Sequence, residues 1–289
     1  GAHLAARVPM RISHMELARE LARPERFGQL WVWNTNPLAS APRQAELRAA
    51  MARADLFTVV IDCFQTDSAD YADIVLPAAG FLEFDDLTCS YFHLHVGVQS
   101  KAREPLGESL PNQEIFRRLS AAMGFSEPEL HERDTDLIAG LMAEMHIPGT
   151  FAGFQQRGWQ WVAAQPLLLH SDLKFTTPSG RIEVASEAWT AQGLPRAPHA
   201  DVDTAPAPGR FRLLTPASDL RLNDSYANDP RLALQAGPAA VILHPQDADA
   251  LGIAAGDKVW LKNSAGMMEL VAEIAALAPR GVLVSHKGR

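Results

Sequence analysis

Few cysteines, a shortage of basic residues and the lack of any long apolar run set the first limits on this chain. Only two cysteines occur, Cys63 and Cys89, and they lie far apart and outside any CxxC pair. A disulfide framework and a cysteine-ligated cluster within this chain are therefore excluded, and we interpret both as small buried residues. Lys and Arg number 26 against 34 Asp and Glu, giving a net charge of −8, which argues against a nucleic-acid partner.

Two further absences narrow the function. The longest apolar stretches, such as residues 56–61, are far shorter than the roughly 20 residues needed to cross a bilayer, so no membrane-spanning segment is predicted. The motifs GxxxxGK[ST], GxGxxG, GxSxG and HExxH do not occur. The phosphate, nucleophile and zinc chemistries that these motifs define therefore have no support.

What the sequence does contain is the pattern of a globular α/β protein. Hydrophobic residues make up 47% and charged residues 21%, and 289 residues suit two domains. Apolar runs at residues 30–33, 56–62 and 74–76 predict strands, the first of them buried, with a helix over residues 42–55 between the first two. This βαβ order is typical of a parallel sheet, which binds ligands at the carboxyl ends of its strands.

The second half of the chain has a different pattern. A helix is predicted over residues 112–123, ended by Gly124, and residues 126–189 are interpreted as a surface connection. Four prolines within residues 193–209 predict a linker, and we place a domain boundary between residues 204 and 205. Beyond it, a helix over residues 245–251 and several short β-prone runs indicate a small barrel. The runs are residues 211–214, 240–243, 258–261, 268–274 and 282–285.

Polar side chains follow the first two predicted strands. Asn34 and Asn36 place two carboxamides after the first strand, and each can both donate and accept hydrogen bonds, as a purine edge requires. A plain Asx turn before Pro37 is the alternative. Asp62, followed by Thr66, Asp67 and Ser68, supplies carboxylates after the second strand, where carboxylates commonly bind ribose hydroxyls. Asp62 alone could equally be a helix N-cap.

Cys89, His93 and His95 are close enough in sequence to raise the question of a metal site. Histidines two positions apart on a strand face the same side, but a fourth ligand is missing. An ordinary strand carrying two histidines is the interpretation that we favour.

Several ordered motifs over residues 28–289 resemble the molybdopterin oxidoreductases of the dimethyl sulfoxide reductase and formate dehydrogenase group. In the first part these are VWNTNP (32–37), RADLF (53–57), TDSADYADIVLPA (66–78), PLGE (105–108) and TPSGRIE (177–183). In the last part they are LTPAS (214–218), LNDSYAN (222–228), HP (244–245) and GIAAGD (252–257). The sequence departs from the family at Phe92, where Gly is common, and at Ser68, which is more often Thr.

The resemblance implies a bis(molybdopterin guanine dinucleotide) cofactor with molybdenum or tungsten, an unidentified small-molecule substrate and an unidentified electron donor or acceptor. It also implies an αβα dinucleotide-binding-like domain over residues 1–204. A double-psi barrel of the aspartate-decarboxylase type, truncated at its C-terminus, would follow over residues 205–289. The family's metal ligand, and any 4Fe-4S cluster, belong to an N-terminal part without counterpart here. We therefore expect no catalytic or metal-ligating residue in this chain, and no activity from it alone.

By the same resemblance, nine residues would contact the cofactor. Asn34, Asn36, Asp62, Thr66 and Ser68 would lie by a guanosine end, and Thr215, Ser218, Ser225 and Asn228 would face a pterin or its phosphates. The alternative is a non-catalytic scaffold or electron-transfer subunit that keeps this fold without the pterin, like the large peripheral subunit of respiratory complex I. The asparagine and hydroxyl loops favour the hypothesis that the chain is the C-terminal, cofactor-holding segment of an oxidoreductase that transfers electrons or an oxygen atom.

Overall fold

The fold is given by a computed structural model, which describes residues 9–163, 166–200 and 205–287. Three sheets organise this part of the chain: a parallel sheet, a small antiparallel sheet and a mixed five-stranded sheet. No helix among the described residues is long and apolar enough to cross a membrane.

The first group of elements forms the parallel sheet and its helices. They are α1 (Leu17–Leu21), β1 (Gln29–Trp33), α2 (Pro37–Ser40), α3 (Gln44–Met51), β2 (Phe57–Asp62) and β3 (Ile74–Pro77). Strand β2 lies between β1 and β3 and is parallel to both, which confirms the predicted βαβ unit. Val59, Val60 and Ile61 on β2 are at most 2% exposed, as expected of a central parallel strand covered on both faces.

Two details of this group differ from the prediction. Strand β1 is an edge strand on which Trp31 and Trp33 are 40% and 51% exposed, so only Val32 is fully buried. Helix α3 ends at Met51 rather than near Asp55. The Arg53 guanidinium donates to the backbone carbonyls of Leu21 and Phe27 and pairs with Asp55, which stabilises a turn where the helix was predicted to continue.

The middle of the chain contains more structure than predicted. Its elements are β4 (Asp86–Cys89), β5 (His95–Gln99), α4 (Asn112–Ala122), α5 (Asp134–Glu144), α6 (Phe151–Arg157), β6 (Trp159–Trp161) and α7 (Glu187–Ala191). Helix α4 confirms the prediction, with Gly124 at φ +72° just beyond it, and its Ile115 packs on the parallel sheet. Strand β5 pairs antiparallel with β4 and β6.

Two interpretations made from the sequence were wrong. Residues 126–189 are not merely a surface connection, because Ile138, Met142 and Phe154 on α5 and α6 form a core with Val96 of β5. The cysteines are both exposed rather than buried. Cys89 ends the edge strand β4, and Cys63 lies in the loop after β2, so neither reaches a core.

Between these groups, the described residues of the proline-rich segment 193–209 contain no helix or strand and are exposed, as predicted. The elements beyond it are β7 (Arg212–Leu214), α8 (Pro230–Ala236), β8 (Ala240–Leu243), α9 (Pro245–Leu251), β9 (Lys258–Asn263), β10 (Gly266–Ile274) and β11 (Val282–Val284). All five predicted strands and the predicted helix α9 are confirmed. Gly252, at φ +66°, ends α9 in the left-handed conformation that glycine favours.

The last five strands form one mixed sheet in the order β7-β11-β8-β10-β9. The pairs β7 with β11 and β8 with β10 are parallel, whereas β9 with β10 is antiparallel. Val241, Leu243, Leu270 and Ala272 fill its core against α9. Helix α8 was not predicted, although Asp229 caps it and Pro230 begins it.

Candidate functional site at the carboxyl edge of the parallel sheet

The loops after β1 and β2 leave the parallel sheet at the same edge. The backbone N–H of Asn34 donates to the carbonyl of Ile61 over 3.1 Å, so the pairing extends one residue beyond β1. Asn34 has a φ of +51° and an exposed side chain. Its carboxamide therefore stands at the edge where ligands of parallel sheets bind.

Asn36 joins the two loops. Its side-chain Oδ1 accepts from the backbone N–H of Ser68 over 3.2 Å and from Ser68 Oγ over 2.7 Å. Its Nδ2 donates to Asp67 Oδ2 over 3.2 Å. Ser68 Oγ in turn accepts from the backbone N–H of Leu38 over 3.2 Å. Asn36 is 7% exposed and Ser68 is 0% exposed, so these side chains lie beneath the surface of the site.

Asp62 is half-buried at the end of β2. Its Oδ1 accepts from the backbone N–H of Phe64 over 3.0 Å. Burial raises the pKa of the Asp62 carboxyl; backbone N–H groups of Phe64 and Cys63 act against this rise, and the Asp224 carboxylate adds to it. The site thus holds a carboxyl group that is protonated more readily than an exposed aspartate.

Thr66 stabilises the same loop through hydrogen bonds to backbone N–H groups within it. It is 7% exposed, and its Oγ1 accepts from the backbone N–H of Ala69 over 3.2 Å. Its carbonyl accepts from the backbone N–H groups of Ala69 and Asp70, at the start of a short 3-10 helix. The hydroxyl therefore stabilises the loop that carries Asp67.

A segment from the last part of the chain, residues 222–228, lies against this loop. Asn228 Nδ2 donates to the carbonyl of Gln65 over 3.2 Å, and the charge of Asp224 acts on Asp62. Ser225 is exposed on the same segment. Two polar segments that are far apart in the chain therefore meet at one edge of the sheet.

Thr215 and Ser218 belong to a different neighbourhood. Thr215 is exposed just beyond β7, and Ser218 Oγ accepts from the backbone N–H of Leu220 over 3.2 Å. Their loop contacts the chain after β11, where a ring nitrogen of His286 lies 2.9 Å from the carbonyl of Ala217. The structure groups them with the end of the five-stranded sheet.

Beside Asp62, a cavity of about 350 Å³ opens at the carboxyl ends of β2 and β3. Cys63, Phe81, Leu106 and Arg103 are among its lining residues. Glu83 is 8% exposed there; one of its carboxylate oxygens accepts from the backbone N–H of Gly80 over 2.9 Å, and the other lies 3.4 Å from Arg103 Nε. Although Cys63 is exposed as a residue, partial burial of its thiol, with the charges of Asp62 and Glu83, raises the pKa of that thiol, which keeps it in its neutral form.

Of the two histidines near Cys89, His95 begins β5 whereas His93 lies before the strand, so the prediction of one strand that carries both was wrong. Both rings take part in aromatic packing. The ring centroid of His95 lies 4.3 Å from that of Trp159 and 4.0 Å from that of Trp161. Within the described ranges, no group of three or more His, Cys, Asp or Glu side chains is placed to hold a metal ion.

Sequence reasoning missed one acidic residue near the site. Asp224 comes from a segment more than a hundred residues away in the chain, and no sequence pattern indicates that its charge acts on Asp62. Asp67 was already among the carboxylates predicted after the second strand.

Comparison with known families gives two matches along the chain. Residues 9–122 match the family described as Molybdopterin oxidoreductase. Residues 211–289 match the family described as Molydopterin dinucleotide binding domain.

Individual relatives extend the likeness over nearly the whole chain. "Probable oxidoreductase YoaE" of Bacillus subtilis (strain 168) is 32% identical, with 98% of this chain and 42% of the relative aligned. The F420-dependent formate dehydrogenase subunit alpha of Methanocaldococcus jannaschii is 26% identical, with 88% of this chain and 37% of the relative aligned. The chain thus spans about two fifths of the length of these relatives.

A solved structure supports the fold independently. Acetylene hydratase from Pelobacter acetylenicus superposes with a TM-score of 0.80 over 96% of this chain and 39% of that protein, at 19% sequence identity. At this identity the likeness concerns the fold alone.

Proposed function

The chain belongs to the molybdopterin oxidoreductase family, and on this premise we propose that it is the C-terminal, cofactor-holding part of an enzyme that transfers electrons or an oxygen atom. The family's cofactor is a molybdopterin guanine dinucleotide with molybdenum or tungsten. We further propose the bis form of this cofactor. When bound, it supplies the redox chemistry, while the protein supplies binding and orientation.

One observation carries the proposal. The segment 222–228, within the part that matches the dinucleotide binding domain, contacts the carboxyl edge of the parallel sheet through the Asn228–Gln65 hydrogen bond. That edge belongs to the part that matches the oxidoreductase family. Both matching parts of the chain therefore contribute to one polar site.

The donor set at this edge fits the guanosine end of the cofactor. Guanosine offers N–H and O–H donors together with carbonyl and ring-nitrogen acceptors. The exposed Asn34 carboxamide can donate and accept, and the carboxyl groups of Asp62 and Asp67 accept. These three residues would hold the guanosine, with Asn36, Thr66 and Ser68 beneath them.

The remaining candidates would face the pterin or its phosphates. Ser225 and Asn228 lie on the segment that contacts the parallel sheet, and Thr215 and Ser218 lie at the end of the five-stranded sheet. We infer that this sheet is part of a double-psi barrel, which is supported by its two parallel pairs between strands that are not consecutive in sequence.

This assignment has a consequence for the chain by itself. Its described part offers no cluster of metal-ligating side chains, and its share of the relatives' length is about two fifths. We expect the isolated chain to contain no stoichiometric molybdenum or tungsten and to show no oxidoreductase activity. Metal analysis of the purified chain checks this expectation, and metal bound tightly near Cys89 and His95 would contradict it.

Calorimetric titration with GDP and with ADP tests the proposed site directly. We expect the chain to bind GDP and to discriminate against ADP. Replacing Asn34 with Ala should weaken GDP binding by about 2- to 10-fold, the loss expected for one hydrogen bond. Asp70→Asn, in the loop after β2 and bonded to Gln65, is the control. A chain that binds neither nucleotide would favour the alternative of a scaffold without the pterin.

A further inference from the structure

An unpaired strand edge and an exposed segment with the side-chain alternation of a strand occur in the same chain. The edge belongs to β9, the last strand of the five-stranded sheet, and the segment is residues 181–184, Arg-Ile-Glu-Val. We propose that segment 181–184 of one copy of this chain adds as a strand to the edge of β9 in a second copy. The segment overlaps the TPSGRIE motif, which has no role in the function proposed above.

Strand β9 is paired on one side only. Its neighbour in the sheet is β10, and no strand of the described part of the chain pairs with its other side. Val259 and Leu261 pack against the core of the sheet. Lys258, Trp260 and Lys262 alternate with them and therefore lie on the opposite face. The free edge thus lies between an apolar face and a face that carries two lysines.

A cavity of about 870 Å³ runs along this edge. Side chains from both faces of β9 line it, so the cavity reaches around the free edge of the strand. Val241, Leu243 and Leu283, from β8 and β11, make its wall apolar. Arg210 and Lys262 are the charged residues among the described residues that line it, and both are basic. The cavity therefore suits a strand that has aliphatic side chains on one side and a negative charge on the other.

Residues 181–184 have this alternation. Ile182 and Val184 are 71% and 78% exposed, and on an extended chain they point to the same side. Arg181 and Glu183 then point to the other side. The segment lies outside any helix or strand, and within the described ranges the backbone groups of residues 182–184 take part in no hydrogen bond. Two aliphatic side chains and the peptide groups between them are thus left in solvent.

Charge complementarity fixes the position of the segment along β9. With the two aliphatic side chains directed into the cavity, Glu183 lies on the face that carries the lysines. Hydrogen bonds from Ser179 lower the pKa of the Glu183 carboxyl, which keeps it charged. Lys258 already pairs with Glu269 over 2.8 Å, whereas Lys262 pairs with no acidic side chain of the described residues. Glu183 of one copy therefore complements Lys262 of the other.

Each copy carries one segment and one free edge. Two copies can therefore exchange their segments reciprocally about a two-fold axis, which closes the assembly at a dimer. In strand addition of this kind, main-chain hydrogen bonds provide the affinity and alternate side chains provide the specificity.

Sedimentation equilibrium of the 289-residue chain measures the dissociation constant of this dimer. Ile182→Gln should weaken dimerisation by at least about tenfold, because an aliphatic side chain no longer enters the cavity. Leu169→Gln is the matched control, since Leu169 is 77% exposed but lies outside the segment, and it should leave the dissociation constant unchanged. Both positions are exposed, so neither replacement disturbs a core, and circular dichroism checks that both variants are folded.

Charge reversal identifies a second copy as the source of the strand. Glu183→Lys and Lys262→Glu each place like charges at both contacts of the dimer and should each weaken dimerisation. An equimolar mixture of these two variants restores opposite charges at both contacts. The mixed dimer should therefore form about tenfold more tightly than the dimer of either variant alone. A segment that docks on its own chain would give no such gain on mixing.

Three results would overturn the inference. The first is a wild-type chain that stays monomeric up to its highest soluble concentration, and the second is an Ile182→Gln variant that dimerises as tightly as the wild type. The third is a mixture of the two charge variants that dimerises no more tightly than its components. Nucleotide binding enters none of these measurements, so the proposed function can fail while the inference holds, and the reverse.

Discussion

Asp62 and Asp224 bring two carboxyl groups near each other where segment 222–228 meets the loop after β2. Because burial and Asp224 raise the pKa of Asp62 in the folded state, the protein gains stability from Asp62 as the pH falls. It loses that contribution as the pH rises through the folded-state pKa. The charged form is the one that the fold tolerates less well.

The sign of this pH dependence gives a testable prediction. Asp62→Asn keeps an oxygen to accept from Phe64 but cannot be charged, so its free energy of unfolding at neutral pH should exceed that of the wild type. The difference should shrink as the pH approaches about 4, where an unfolded aspartate is half protonated. Urea unfolding of both proteins across this pH range is the measurement, and a difference that stays constant with pH would count against the raised pKa.

Asn34 and Asn36 should respond differently to the same replacement. Asn36→Ala leaves the buried Ser68 N–H and hydroxyl without their acceptor and should cost about 1–3 kcal/mol of stability. Asn34→Ala removes an exposed side chain and leaves no buried group unpaired, so its cost should be limited to placing alanine at a φ of +51°, about 1 kcal/mol and the smaller of the two losses. Chemical denaturation compares the two. Equal losses of stability would show that the two carboxamides have the same role, either because both contact the ligand or because both belong to a plain turn.

At the scale of single residues, the sequence predicted well which residues lie at the site and poorly which hydrogen bonds they make. The loops containing Asn36 and Ser68 were predicted to lie at one edge, and they are bonded to each other there. Which of these side chains is buried depends on how the loop after β2 folds over α2. That arrangement is tertiary and leaves no periodic signal in the sequence.

Among the elements, the strands of the parallel and five-stranded sheets and helices α4 and α9 were predicted closely, whereas α5, α6 and the capped helix α8 were not. Helix α9 follows the sequence signals because Pro245 begins it and Gly252 ends it. Helices α5 and α6 were overlooked because their short apolar stripes are surrounded by Gly, Pro and aromatic residues typical of loops. Ile138 and Met142, one helical turn apart, were the signal that could have identified α5.

The core formed by α5, α6 and β5 gives a prediction at this scale. Phe154 is fully buried, so Phe154→Ala should lower the free energy of unfolding by about 3–5 kcal/mol. Phe92, which is 95% exposed, provides a matched Phe→Ala control that should have little effect. Denaturant unfolding measures both. A small effect at Phe154 would restore the interpretation of residues 126–189 as a surface connection.

For the whole molecule, the order of the two parts followed from the change in pattern at the proline-rich segment. The relative position of segment 222–228 and the loop after β2 could not be predicted in this way, because contacts between distant segments are not encoded locally. The boundary between residues 204 and 205 stays a prediction. The five-stranded sheet has β7 and β9 at its edges, and unpaired edges favour pairing between copies.

Limited proteolysis tests the predicted boundary. Cleavage should occur first within residues 193–209, whose described residues are exposed and outside any helix or strand. Sedimentation should show self-association that increases with concentration, because of the exposed edges. Preferential cleavage within residues 240–274, together with a strictly monomeric state, would contradict both the boundary and the exposed edges.

The most direct test of the central claim is the guanine nucleotide content of the full-length protein purified with its cofactor. Release and quantification of the nucleotide should give a stoichiometric amount for the wild type. The amount should be smaller for the double variant Asn34→Ala with Asn36→Ala, and unchanged for Asp70→Asn. A wild-type protein without guanine nucleotide, or a double variant that is folded and retains the full amount, would contradict the assignment of the guanosine to the carboxyl edge of this sheet.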